Sequence, residues 1–156
     1  MYAVRHGLLV AARRGAAVRP ARDANAELDA VYPAQPAQIP QIRHAVADAA
    51  GVCGAGASTL AKIELAVSEA ATNAVMHAYR DGLPQGDLSV LVRQADEFVD
   101  VSVRDSGVGM APRPDSPGLG LGLSLMAHLA DRLEIKAPPD GGTEILLRFQ
   151  VGLQGA

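Results

Sequence analysis

Residues 68–79 read SEAATNAVMHAY, which sets one carboxylate and one carboxamide into an otherwise apolar helical stretch. An α-helix turns by about 100° per residue, so Glu69 and Asn73 lie close to one line, with His77 a further turn along it. Ile63, Leu65, Val67, Ala70, Ala71, Ala74, Val75 and Met76 take most of the remaining circumference, the pattern of a helix buried on most sides. A carboxylate in such a place is costly unless something compensates it. Either the pair is satisfied internally or through a gap in the core, or the stripe serves a ligand. Three other stretches bear on that choice. Asp105 ends a strand-like segment and opens DSGVG, where Gly107 and Gly109 let the backbone turn sharply and a flat ligand approach closely. Its carboxylate could accept a hydrogen bond from an exocyclic amine, although an Asp/Gly turn after a strand is also a common structural device. GLGLG, residues 118–122, precedes a helical stretch, so free backbone N–H groups and the positive end of the helix dipole could meet phosphates. GGT, residues 141–143, opens the last strand and alone reads as a hairpin turn.

The elements that must position these residues follow from pattern. At 156 residues the chain has the size of one domain, which hides roughly two thirds of its unfolded surface. With no Trp, two Phe and three Tyr, the core must be built from Leu, Val, Ile and Ala. Five arginines (Arg5, Arg13, Arg14, Arg19 and Arg22) precede the first acid, Asp23, and the remainder is acidic within a net charge of −3. An acidic domain lacks the clustered Lys and Arg of a phosphate-backbone face, so no nucleic-acid role is expected. GLLVAA is too short for a signal peptide, and nothing approaches the roughly 18 apolar residues of a membrane span. The single cysteine, Cys53, excludes an internal disulfide, no Cys/His cluster has zinc spacing, and a reducing cytoplasm is expected. Residues 1–25 are expected to be a flexible basic extension, 26–152 the folded domain and 153–156 a tail.

Within the domain, ELDAVYP is strand-like, and QIRHAVADAA predicts a helix stopped by Gly51. Ser58 or Thr59 is the expected cap of the long helix that runs to about Tyr79. LSVLVRQ and EFVDVSVRD alternate with period two and predict an antiparallel hairpin. The glycines at 118–122 stand before a helix read over LSLMAHLADRL, and LEIKA, PPDGG and TEILLRF make a second hairpin. This order predicts an α+β fold: a two-layer α/β sandwich with a mostly antiparallel sheet and helices on one face.

Taken together and in order, Glu-x-x-x-Asn on a helix, Asp-x-Gly-x-Gly after a hairpin, a glycine-rich helix start and Gly-Gly-Thr before the last strand resemble the ATP-binding domain shared by gyrase-like ATPases, Hsp90, histidine kinases and MutL. Within that superfamily, ELAVSEAATNAVMHAY resembles the anti-sigma factor serine/threonine-protein kinases, over about residues 27–150. The resemblance implies a Bergerat ATP-binding fold with ATP and Mg²⁺ as cofactors. It implies Asn73 as the Mg²⁺ ligand and Glu69 as general base toward the hydroxyl that attacks the γ-phosphate. Asp105 would receive the adenine amine, with Gly107 beside it in the nucleotide site, Gly109 would leave room for the ring, and Thr143 would support Asp105. Gly118, Gly120 and Gly122 would wrap the phosphates, and His77 would face the nucleotide side.

Arg43 stands where the family uses an arginine to bind its protein partner. The implied activity is transfer of the γ-phosphate to a Ser or Thr of a small anti-anti-sigma-like (STAS) protein, with a sigma factor as a second partner. A homodimer is expected by analogy, with an exposed edge near Leu28–Tyr32 as one place to pair. One departure weakens the kinase reading: only MAPRPDSP, with three prolines, separates the DSGVG turn from the glycine-rich stretch where the family carries a lid. The alternative is a nucleotide-gated binding regulator with little or no phosphotransfer. The catalytic half of a histidine kinase is a third reading, opposed by the lack of dimerisation helices.

Overall fold

Alternation along three central strands decides which way the sheet faces. The computed structural model describes residues 2–5, 8–11, 17–18, 26–78, 86–107 and 119–152. The strands are β1 (Tyr2–Arg5), β2 (Leu8–Ala11), β3 (Ala17–Val18), β4 (Ala26–Pro33), β5 (Asp87–Ala95), β6 (Phe98–Asp105), β7 (Arg132–Lys136) and β8 (Thr143–Gln150). The helices are α1 (Ile39–Val52), α2 (Ala57–Asn73) and α3 (Leu119–Leu129). β1 and β2 pair with each other, and the other six strands form one sheet in the order β3-β4-β5-β6-β8-β7, antiparallel at every junction.

On one face Leu88, Val90 and Val92 of β5, Val99, Val101 and Val103 of β6, and Ile145, Leu147 and Phe149 of β8 are buried. They meet Ile42 and Val46 of α1, Ile63, Val67 and Ala70 of α2, and Met126 of α3 in a single core. The alanines at 45, 49, 66, 70 and 71 keep the helices close to the strands and to each other. The result is the expected two-layer α+β sandwich with helices on one face.

The opposite face is polar and ion-paired. Asp100, 8% exposed, receives two hydrogen bonds from the Arg148 guanidinium, at 2.6 and 2.8 Å, with Arg93 at 3.6 Å. Arg148 also lies 5.2 Å from the Phe98 ring centre. The bond from Arg148 holds the Asp100 carboxyl below its usual range, against the opposing effect of burial. Cys53 is buried beyond the end of α1, and burial, helped by the negative Glu27, pushes its thiol up to about 12.

Several boundaries differ from the sequence reading. α2 starts from Gly56 in extended backbone with no side-chain cap, so Ser58 and Thr59 stand inside its first turn. After Asn73 the α-helix widens into a π-helical turn, Ala74–Ala78, so a uniform 100° step does not carry the stripe on to His77. The Ser68 and Thr72 hydroxyls donate to carbonyls four residues back, each at 2.7 Å, just before that change; such bonds compete with regular helix geometry. α3 begins at Leu119 and ends at Leu129, so Gly120 and Gly122 lie within the helix rather than before it. Tertiary packing overrides the low helix propensity of glycine there. β4 was expected at an exposed edge, yet β3, from the stretch read as an extension, pairs with it at Ala30 and Val31. No helix among the described residues is long and apolar enough to cross a membrane.

Candidate functional site

The two halves of the site lie on different elements, α2 and the end of β6, and both face the helix side of the sheet. α2 packs against β6 and β8, and the π turn meets β6. The first half is the polar stripe of α2. Asn73 is 6% exposed, and among the described residues its Nδ2 has no hydrogen-bond partner. A buried amide left without a partner is costly, which marks it as a group held for something else. Gly122 of α3 faces this stripe. A Cβ added there would stand 3.0 Å from Asn73 Nδ2, 3.3 Å from Asn73 Oδ1 and 3.3 Å from Glu69 Oε2. Three polar atoms of two side chains therefore surround one small point, and only glycine leaves that point free.

The second half is the end of β6. Asp105 is 6% exposed and points to the helix side, in the same row as Leu88 and Thr143. Among the described residues Arg104 is the cation that acts on it, and its effect ranks behind burial and the backbone amides. Gly107 N–H donates to Asp105 Oδ1 at 3.0 Å. Burial raises the Asp105 carboxyl above its usual range, while the backbone amides of Gly107 and Thr143 partly offset the rise. Thr143 is itself buried and sits opposite Asp105 in the β6–β8 register. A buried carboxylate oriented by amides, with acceptor capacity remaining, suits a donor such as an exocyclic amine.

Gly142 is a residue that the sequence reading quoted in GGT but gave no role. Its φ is +82°, and a Cβ there would fall 2.0 Å from the Asp105 carbonyl oxygen and 2.9 Å from Ser106 Cα. Consecutive glycines before a strand were the available signal; the contact that makes them necessary depends on the β6–β8 register. Of the other expected residues, Arg43 is half-buried on α1. Gly120 lies in the first turn of α3. Gly109, Gly118 and the MAPRPDSP segment are outside the described residues, as is the side chain of His77. A shallow hollow lined by Arg93, Asp100, Arg132, Glu134 and Arg148 lies on the other face of the sheet, away from both halves of the site.

Residues 32–149 match the family described as the Histidine kinase-like ATPase domain. The chain belongs to that family. Its members' name is that of an ATPase, and ATP is the nucleotide this domain implies. Among curated relatives, the Anti-sigma F factor of Bacillus licheniformis is 32% identical over 99 residues, covering 56% of this chain and 67% of the relative. That of Pasteuria penetrans is 34% identical over 97 residues, covering 55% and 65%. That of Geobacillus thermodenitrificans is 31% identical over 103 residues, covering 59% and 70%. Among solved structures, the RsbU and RsbW domains of a Mycobacterium tuberculosis protein superimpose with a TM-score of 0.59 at 27% identity, over 76% of this chain and 30% of that one. The histidine kinase domain of a blue-light activated kinase from Erythrobacter litoralis shares the fold, with a TM-score of 0.54 at 24% identity, over 79% of this chain and 63% of that one.

The residues present fit a nucleotide with a divalent cation. The donor set is a carboxamide and a carboxylate one helical turn apart, and hard oxygen donors are what Mg²⁺ takes, together with phosphate oxygens. The cation would take Asn73 Oδ1, while the unpartnered Nδ2, a donor, would suit a phosphate oxygen; the space kept open above Gly122 leaves room for both.

Proposed function

We propose that this chain is an ATP-dependent protein serine/threonine kinase of the anti-sigma type, acting on a small anti-anti-sigma-like (STAS) regulator and holding a sigma factor as its other partner. The observation that carries the reading is the buried Asn73 beside Glu69, whose Nδ2 donor has no partner among the described residues and would suit a phosphate oxygen while Oδ1 takes the cation. The names of the Anti-sigma F factor relatives support the choice of partner class.

In this reading, Mg-ATP supplies a transferable phosphoryl group whose charge the metal neutralises, so catalysis rests mainly on positioning. Asn73 would hold the metal. Glu69 would take the proton of the substrate Ser or Thr hydroxyl. Asp105 would accept a hydrogen bond from the adenine amine, fixed in place by the Gly107 and Thr143 amides, and the backbone around Gly118, Gly120 and Gly122 would receive the phosphates. Arg43 on α1 would meet the protein partner. The folded unit would span 26–152, assemble as a homodimer and work in the cytoplasm, where transcription is regulated.

The test is transfer of γ-labelled phosphate from Mg-ATP into lysate proteins, comparing wild type with Glu69→Ala. An acid-stable labelled band on a small protein, lost in the variant, is expected, with a cost of about 10²-fold or more for losing a general base. Transfer at full rate in the variant would refute the role of Glu69. The short, proline-stiffened MAPRPDSP segment favours a second reading, a nucleotide-gated binding regulator. It predicts ATP binding with no labelled band.

A further inference from the structure

Gly122 was expected among the glycines that wrap phosphates through their backbone. Its surroundings give it a further task. In α3 it faces side chains of α2, and the point where its Cβ would stand lies 3.0–3.3 Å from Asn73 Nδ2, Asn73 Oδ1 and Glu69 Oε2. Such distances are tighter than ordinary carbon contacts, so a methyl group here must move something by a few tenths of an ångström. Asn73 has little room to give, being buried in the core with Ala70, Ala71 and Ala74 around the same helix. Glycine inside a helix is otherwise unfavourable relative to alanine, so its presence in α3 calls for a packing or functional reason.

We propose that Gly122 is a positioning residue: its missing side chain fixes where the Asn73 carboxamide and the Glu69 carboxylate stand, and so sets how strongly nucleotide binding depends on Mg²⁺. The inference rests on the reading of Asn73 as a metal ligand. It assigns Gly122 an action through two side chains of another helix, separate from any contact of its own backbone with phosphate. The two roles predict different outcomes. A backbone contact with phosphate survives Gly122→Ala within a helix, whereas the space between α3 and the polar pair does not.

The experiment is calorimetry of ADP binding to the full chain, with Mg²⁺ and with chelator, for wild type, Gly122→Ala, Asn73→Ala and the double variant. The quantity read is the gain in ADP affinity that Mg²⁺ brings. Gly122→Ala is expected to reduce that gain by about tenfold, a sub-ångström misplacement costing less than the ~10²-fold of a full ångström. Its melting temperature should stay near wild type, because alanine is the better helix former, and taking the ratio of the two affinities removes any change in Mg²⁺-free binding. In the Asn73→Ala background, where the gain is already lost and only Glu69 Oε2 of the three atoms remains, Gly122→Ala should take nothing further from it. A Mg²⁺ gain left at the wild-type level in Gly122→Ala overturns the inference alone, provided Asn73→Ala has abolished it. A gain intact in Asn73→Ala overturns the metal-ligand reading and the inference with it. Should Gly122→Ala fail to fold, the double variant must restore folding by removing the clashing carboxamide, and failure to do so also overturns the proposal.

Discussion

β6 carries two buried aspartates five residues apart, and the fold treats them in opposite ways. Asp100 faces the open side of the sheet, where the Arg148 guanidinium grips it with two bonds and Arg93 stands nearby. Its carboxyl is held below the usual range. Asp105 faces the helices, is held by backbone amides, and has a carboxyl raised by burial. The two residues are equally hidden, so burial alone does not distinguish them. The difference lies in what the remaining lone pairs meet. A carboxylate already matched to a guanidinium has finished its work when the protein folds, while one held only by amides keeps capacity for a donor from outside.

The comparison can be broken from the side of its scaffold first. Gly142→Ala puts a methyl against the Asp105 carbonyl at a positive φ, combining overpacking with backbone strain. A loss of about 3 kcal/mol in urea unfolding is expected, together with loss of nucleotide binding; wild-type stability would mean that the β6–β8 junction does not need glycine. Next is Asp105→Asn, which removes a charged acceptor from the proposed adenine contact. ATP affinity should fall by roughly thirtyfold, corresponding to about 2 kcal/mol for a charge-assisted bond. Calorimetry that finds no change would remove Asp105 from the site.

Asp100→Asn should do the reverse, leaving ATP affinity intact. It should cost about 1 kcal/mol of stability, a figure set low because Arg148 is partly open to solvent and the pair is screened. A larger effect on ATP than on stability would erase the distinction between the two residues. The smallest effect is in the acid titration. Asp100, with its pKa lowered from 3.8, contributes stability that is present above pH 3.8 and lost as pH falls through the folded value. Asp105, raised from the same 3.8, contributes stability that is full below that pH and lost as pH rises through its folded value. Urea midpoints measured against pH should therefore lose their acid-side drop in Asp100→Asn, and their decline above pH 3.8 in Asp105→Asn.

What the sequence made legible follows the range of the forces involved. The period-two runs of β5 and β6, the helical spacing of α1 and α2, and the side-by-side placing of Glu69 and Asn73 are local, and the structure has them. The start of α3 was misread because glycine argues locally against a helix, while the contact that holds Gly122 there comes from α2. The π turn is likewise invisible to a fixed 100° step. β3, two residues long, carries too little pattern to be seen. The Asp100–Arg148 pair joins residues 48 positions apart and needs the β6–β8 register before it can be drawn. The same register was needed to see why Gly142 cannot be alanine.

The placing of Cys53 also matters at the bench. The only sulfhydryl in the chain is enclosed in the core and, with its pKa near 12, stays almost wholly unionised at neutral pH. The surface is thus blank to maleimide and iodoacetamide reagents without any prior engineering. Met76, 62% exposed on the π turn three residues beyond Asn73, is a ready position for a single introduced cysteine. One dye there would sit beside the proposed metal-binding end of α2, as the only label on an otherwise native molecule.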